Sequence, residues 1–574
     1  MGENLYYAVR GSNGFGVMRG ISSPSRIYDK SEDPKSHPCR VFQFSNTGQY
    51  FCYCDTIRTV LVESSTGKEI FNIDLPRTQQ IVFSPRDRLL AVYEPYVSYI
   101  AKTQIGKFDI RVHPISIKKL NLAENIEQRQ PAPNLRLWSL PDGKHITTLI
   151  AQKQNSWKIQ WTDDEVYSVR LVGSEILIHK YNSYEKYESK LVVRNVESCS
   201  LSSGMEPHHL AVYIPASGGQ PALVQLKRLD HKFTTVASKT LFKCDKVNLL
   251  WSCKGSAIIV MAIVDVDISN KSYYGEQNLY LVAVNGDSCA VPLEKRGPVY
   301  CAKWSPSGKQ FVVCYGFMPA RVTLYNLKCD PIFDFGEGPR NDMYYNRFGN
   351  ILILCGFGNI ASGRMQFWDV ESRREIVTIE APNTTLLEWA PDGQHLMTAT
   401  TAPRLRIDNC FRIWHYSGRL LYEHRYDSPS ELWQVQWRPV PSNIYHSFSI
   451  PILTVEDKAK AGLMVQKKNM DNEHPVNNLP VGAIAKNGTY VPPHLRKAGL
   501  VTTKNTSKTT TQVSSSRPPL SEKEKKIRAL QKKIDDIEKL KKRKESGQVL
   551  ETNQVAKIDK ENEIMKELEK LKVT

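Results

Sequence analysis

The sequence has no uncharged apolar run approaching the roughly 18 residues that a membrane-spanning helix needs, so no segment is expected to cross a bilayer. It also has no CxxC pair. Its 12 cysteines are scattered from Cys39 to Cys410, and only Cys52 and Cys54 stand close together. A tetrahedral metal is gripped by cysteines two to four residues apart on a short turn, so no metal site of that kind is expected. Cys52 and Cys54, two apart on a strand-like stretch, share one face and read as packing residues. All twelve read as buried, reduced thiols, which suits a cytosolic compartment. The opening MGENLYYAVRG has no basic segment ahead of an apolar core. Tyr6 stands where a myristoylation signal needs Ser or Thr. The expected location is cytoplasmic.

Catalytic signatures are missing too. The sequence has no GxxxxGK[ST] loop, no HExxH and no GxSxG elbow. GSNGFG at 11–16 is glycine-rich but lies between two strand-like runs, without the helix N-terminus that would cradle a phosphate. The carboxylate pairs Asp163/Asp164 and Asp265/Asp267 have no His or Cys neighbour in sequence. An enzyme whose catalytic residues are far apart in sequence and gathered by the fold is the minority reading. No catalytic residue, cofactor or metal is assigned.

What the chain does have is positive charge, unevenly placed. Its 574 residues carry 77 Lys+Arg against 59 Asp+Glu, a net charge of +18. Residues 446–574 hold 26 of the cations and 16 of the carboxylates, more than half of the excess. The C-terminal segment is therefore the expected electrostatic partner-binder. Charge alone does not choose among RNA, an anionic membrane and an acidic protein.

The first 445 residues repeat. A strand-like run ends in a large apolar residue, followed by a small polar residue and a turn. The apolar anchors are Phe44, Phe83, Trp161, Leu201, Trp251, Trp304, Tyr345, Trp389 and Trp437. Their intervals are 39, 78, 40, 50, 53, 41, 44 and 48 residues, near the roughly 40–45-residue period of a four-stranded propeller blade. The long interval contains 94–133, read as an insertion within one blade. Phe367-Trp368-Asp369-Val370 resembles the Trp-Asp signature of such repeats. The last anchor has too little chain after it to complete a blade. LYYAVR and FGVMRG, joined by the turn GSNG, supply the missing strands, so the N-terminus is expected to close the ring. The fold class is all-β, a nine-bladed β-propeller over 1–441. Eight blades is the alternative, because the SLSSGMEPHH unit fits weakly.

Residues 442–520 read as a disordered basic linker. It contains GTYVPPHLRKAG, in which Tyr490, Pro492, Pro493, Leu495 and Arg496 form either a short docking motif or an incidental feature of the linker. Residues 521–574 read as a basic helical hairpin. Ser521 and Glu524 make a capping box, and Ile527, Leu530, Ile534, Ile537 and Leu540 follow as an apolar stripe. After a break at Ser546-Gly547, a second stripe runs through Val555, Ile558, Met565 and Leu568. Lys525, Lys526, Arg528, Lys532, Lys533, Lys539, Lys541, Lys542, Arg543 and Lys544 give the first helix a cationic surface. Cations at a helix C-terminus also complement its dipole. Five within six positions exceed that need and point to phosphate-backbone binding.

Several strings are long enough to be specific: SYYGEQ (272–277), YGFMPA (315–320), NLKCDPIFDFG (326–336), GPRN (338–341), APRLR (402–406), IWHYSG (413–418) and ELWQVQW (431–437). With the basic helical hairpin they resemble the eukaryotic translation initiation factor 2A family, the single-chain factors. These are distinct from the alpha subunit of the trimeric GTP-dependent factor. The resemblance implies a cytoplasmic nine-bladed propeller that binds the small ribosomal subunit. It implies direction of initiator methionyl-tRNA to that subunit, dependent on the start codon and independent of GTP, for a subset of mRNAs. Implied partners are the subunit and its ribosomal RNA, the tRNA, mRNA and other initiation factors, with no membrane. The terminal hairpin is similar to a ribosome-binding segment of an exon-junction-complex disassembly factor, which places subunit contact there. The competing reading is a non-catalytic scaffold for protein assembly.

Antiparallel blades place the second-to-third-strand loops on the same side as the blade-to-blade connections. In blades six to eight these hold Arg321, Arg340, Arg364, Arg404 and Arg406, with Lys295 and Arg296. One expectation is that this face meets RNA through its arginines. The other is that APRLR and GPRN are turns whose arginines satisfy the neighbouring Glu294, Glu337, Asp342, Glu380 and Asp408.

Overall fold

The second strand of most units is apolar at nearly every position, as in YFCYC (Tyr50–Cys54), LLAVY (Leu89–Tyr93) and ILILCG (Ile351–Gly356). Such a strand must be covered on both faces, and a ring of packed sheets supplies both covers. The computed structural model describes residues 4–29, 38–100, 129–151, 157–181, 183–264, 275, 277–462, 537, 541 and 565. It shows nine four-stranded antiparallel blades. Eight are consecutive in sequence, spanning 41–73, 80–149, 160–192, 198–241, 246–290, 299–338, 342–380 and 386–425. In the ninth, the innermost strand Leu432–Trp437 pairs with the N-terminal Tyr6–Gly11, followed outward by Gly14–Arg19 and Ser25–Asp29. The SLSSGMEPHH unit is a full blade, so the alternative of eight falls away.

Each of the nine anchors is the last residue of an innermost strand. Four of the five anchor tryptophans staple neighbouring blades; the indole of Trp161 instead donates to the Tyr184 hydroxyl at 2.9 Å within its own blade. The indole N–H groups of Trp251, Trp304, Trp389 and Trp437 donate to the carbonyls of Ser200, Leu250, Tyr344 and Glu388 at 3.1, 2.8, 3.4 and 3.3 Å. Each acceptor stands one residue before the preceding blade's anchor. Where the first blade has Phe44 instead, Gln436 of the ninth blade accepts from the Phe44 amide at 3.4 Å, and Gln434 donates to the Phe42 carbonyl at 3.2 Å. The polar residue after the anchor ties the turn: Ser45, Ser84 and Ser202 each accept from the amide that opens the second strand, at 3.0, 3.0 and 2.9 Å.

The apolar interior is a series of nine clusters, one between each adjacent pair of blades. Strand alternation divides the second strands between them. In the seventh blade Ile351, Ile353 and Cys355 face the eighth, while Leu352 and Leu354 face the sixth. Ring closure obeys the same rule: Tyr7 and Val9 pack toward the eighth blade and Ala8 toward the first. Gly11 is required at that seam, because a Cβ there would lie 2.4 Å from the Glu431 carbonyl oxygen.

The insertion leaves the second blade between its second and third strands, and its described ends pair as Ser98–Ile100 with Arg129–Pro131. Two expectations need correction. Cys289, on the outermost strand of the fifth blade, forms a disulfide with Cys329 in the last turn of the sixth, and Cys253 is exposed. The thiols are therefore neither all reduced nor all buried; a radial contact between blades leaves no short spacing to read. Residues 442–462, assigned by composition to the linker, lie along the ring. Phe448, Ile450, Leu453 and Ala461 pack on the cluster between the seventh and eighth blades. A short helix, Val455–Ala459, is capped by Thr454.

By internal contacts the chain divides into two units, Met1–Met470 and Asp471–Thr574. In the second, Ile537, Lys541 and Met565 are described and helical. The Tyr490 motif and the other tail cations (Lys525, Lys526, Arg528, Lys532, Lys533, Lys539, Lys542, Arg543 and Lys544) lie outside the described residues. So do Asp265 and Asp267.

Candidate nucleic-acid interface

An antiparallel meander has two ends. Second-to-third loops and blade-to-blade connections share one, here the connector face; first-to-second and third-to-fourth turns share the other, the hairpin face. The arginines singled out from the sequence begin on the connector face, and the structure does not gather them into one open cluster. Arg321 is bound to Glu294 at 2.7 Å and to Asp334 at 2.8 Å. Lys295 is bound to Glu337 at 2.6 Å. Arg406 reaches Glu431 at 3.5 Å. Arg404 has only a 3.5 Å bond to the Thr385 carbonyl, and Arg364 is exposed with no side-chain bond to a described residue. Arg340 is a correction. It is 5% exposed and donates to Gln366 and to the carbonyls of Phe335 and Gly336 at 2.8, 3.1 and 3.0 Å. Gly338 leaves room for its guanidinium to fold back, since a Cβ there would lie 3.0 Å from Arg340 Nε. Its role is to hold a connection, and burial pushes its pKa down.

The hairpin face was not singled out from the sequence, and its charges are arranged differently. From the first blade to the fourth, carboxylates in the turns of the second and third latch one turn to the next. Asp87 accepts from the amides of Asn46 and Thr47, both at 2.8 Å, in the first blade's turn. Glu165 accepts from the Arg86 amide at 2.6 Å, and Asp163 from the Gly204 amide at 2.6 Å. Asp164 meets Nε2 of the buried His208 at 3.0 Å and also accepts from Thr162 Oγ1 and the Val166 amide. Burial alone would raise the Asp164 pKa, but these bonds hold it below the usual carboxylate range. His208 lies one blade period beyond Asp164, which is the signal that would have found it. Asp164, His208 and Glu206 bring three potential metal-ligating atoms within 4.8 Å of one another. The existing bonds of Asp164 account for its position without an ion.

On the fifth to seventh blades the inner turns are SCKGS (252–256), SPSGK (305–309) and NRFGN (346–350), none with a carboxylate. Lys254 and Lys309 are exposed and Arg347 is half-buried; none makes a side-chain hydrogen bond or ion pair to a described residue. Between the inner strands of the fourth to sixth blades is a cavity of about 440 Å³, lined by Ser200, Asn248, Tyr300 and Lys303 among others. No helix among the described residues is long and apolar enough to cross a membrane.

Known proteins share this architecture and its sequence. The family pattern described as eukaryotic translation initiation factor eIF2A matches residues 239–435, and the eukaryotic translation initiation factor 2A C-terminal domain matches 525–571. Eukaryotic translation initiation factor 2A of Caenorhabditis elegans is 46% identical over 596 aligned positions covering 100% of both chains. That of Drosophila melanogaster is 31% identical, covering 94% of this chain and 93% of its own. A crystal structure of a eukaryotic initiation factor superimposes with a TM-score of 0.65 at 26% identity, covering 77% of this chain and 100% of that one.

Proposed function

The chain belongs to the eukaryotic translation initiation factor 2A family, and from that premise we propose that it is a non-catalytic cytoplasmic factor that binds the small ribosomal subunit. There it directs initiator methionyl-tRNA to the start codon without GTP, for a subset of mRNAs. The observation that carries this reading is the 46% identity along the whole chain to a translation initiation factor 2A. The tail cations grip ribosomal RNA, and the ring presents fixed surfaces to tRNA, mRNA or other initiation factors. A rigid ring suits this work, because a surface held by nine interlocked blades loses little entropy when a partner docks.

The second reading, a scaffold that recruits proteins alone, is supported by the ion pairs of Arg321, Lys295 and Arg406, which mute the connector face. Salt separates the two, because phosphate contacts release counterions and their affinity falls steeply as salt rises. The test is sedimentation of the full chain and of a truncation after residue 520 with small subunits and initiator tRNA across a KCl series. The expected result is salt-sensitive association that the truncation abolishes. Association that ignores salt and nuclease would replace this reading with the scaffold.

A further inference from the structure

We propose that the hairpin face of the fifth to seventh blades is an RNA-binding ribbon on which Lys254, Lys309 and Arg347 each take a backbone phosphate. This inference rests on the initiation-factor reading for the class of its partner and adds the place on the ring where that partner lies. Three observations carry it. The inner turns of these blades touch. Cys253 Sγ donates to the Pro306 carbonyl at 2.9 Å, a Cβ at Gly308 would lie 3.3 Å from Lys254 Cγ, and one at Gly349 would lie 3.0 Å from Pro306 Cδ. The turns therefore form one continuous surface carrying one cation per blade. Lys303, exposed at the end of the sixth blade's inner strand with its ammonium 5.7 Å from the Tyr344 ring centre, adds a fourth cation toward the channel.

Second, those three cations are unspent. The connector face neutralises Arg321, Lys295 and Arg406 with carboxylates, leaving Arg364 and Arg404 without one, whereas none of these three turns contains a carboxylate at all. Arg347 is half-buried without a partner among the described residues, which is costly for a guanidinium unless an anion completes it. Third, residues 448–462 lie on this face. Asn350 donates to the Phe448 carbonyl at 2.8 Å, Arg419 pairs with Asp457 at 3.1 Å, and the Gly462 amide donates to the Gly418 carbonyl at 2.8 Å. Residues 448–462 thus lie along the seventh and eighth blades' turns. RNA fits better than an acidic protein. Stable protein interfaces bury an apolar centre and are depleted in lysine, and no exposed large hydrophobic residue lies in the three turns.

The test measures binding of the full chain to a fluorescein-labelled uridine 30-mer at a series of KCl concentrations. It compares wild type, the triple variant K254Q/K309Q/R347Q and the connector-face control R364Q/R404Q. Each lost contact to a single strand removes about 0.7 from the slope of log affinity against log salt. The triple variant should flatten that slope by about 2 and bind about tenfold more weakly at 0.1 M KCl, with the control close to wild type. K309Q alone, on an exposed turn tip, should flatten it by about 0.7 and serves if the triple variant is poorly folded. Unchanged slope and affinity in folded variants overturns the proposal, as does an equal loss in the control. Displacement of the 30-mer from the ribbon by polyglutamate at lower concentration than by unlabelled uridine 30-mer would assign the surface to acidic protein. The initiation-factor reading is judged separately by small-subunit sedimentation of wild type, so either can fail while the other stands.

Discussion

The third and fourth blades and the fifth to seventh blades build the same inner turn from the same bonds, yet they use charge in opposite ways. In both regions the residue after the anchor, Thr162 or Ser202 in one and Ser252 or Asn346 in the other, accepts from the start of the next strand. The positions between carry different side chains in the two regions. In the acidic region Asp163, Asp164 and Glu165 point along the ring and bind the neighbouring turn, so their charge is consumed by the fold. In the basic region the turns meet through Cys253, Pro306 and glycines, and the cations project from a surface that is complete without them. Identical scaffolding thus separates residues that hold the ring from residues available to a partner.

If that division is correct, the largest effect belongs to the acidic region. Asp164→Ala removes bonds to Thr162 and Val166 and leaves buried His208 without its acceptor. The expected cost is about 3 kcal/mol, because a buried polar group loses its partner. Thermal unfolding followed by fluorescence should show a clear drop in midpoint; a drop no larger than that of Lys254→Ala would erase the distinction between the two regions.

Glu388 sharpens the rule by violating it. It lies on the eighth blade's inner strand and accepts from the Trp437 amide at 3.1 Å, where the ring closes. Burial pushes its pKa up to about 7. A carboxyl whose folded pKa is raised takes up its proton on folding between the unfolded value and about pH 7. Stability associated with it is therefore present at pH 5 and lost as pH rises through 7. Glu388→Gln keeps the acceptor and removes the charge, so it should stabilise the ring by roughly 3 kcal/mol at pH 8 and by less than about 1 kcal/mol at pH 5. Equal effects at both pH values would mean that the charge is solvated and the latch is not strained by it.

These devices differ in how far the sequence discloses them. The anchors, the spacing and the N-terminal closure were legible, because strand period and blade period recur and a ninth blade cannot be completed otherwise. Arg340 was misread because GPRN looks like any exposed turn until Gly338 lets its guanidinium fold onto the Phe335 and Gly336 carbonyls. Phe448, Ile450 and Leu453 were missed because three apolar residues are diluted by their polar neighbours in a composition average, although they pack on the ring. The Asp164–His208 pair needed the blade period applied to polar residues as well as to anchors. The hairpin-face cations drew no notice because single lysines in SCKGS and SPSGK have no local pattern; only the ring sets them side by side.

The smallest expected effect is the one most specific to the comparison. Lys309→Gln should shift stability by less than about 0.5 kcal/mol, the range of an exposed substitution that breaks no cap, core or latch. The sixth blade's turn is held by the Gln310 carbonyl, which accepts from the Ser305 amide, and by Ser305, which accepts from the Gly308 amide at 2.8 Å. Neither bond involves the lysine side chain, and its ammonium makes no ion pair to a described residue. Thermal and urea midpoints equal to wild type, measured alongside Asp164→Ala, would place Lys309 among residues that the fold does not use. A loss approaching that of Asp164→Ala would mean the ammonium is a latch after all, and the two regions would then differ only in sign.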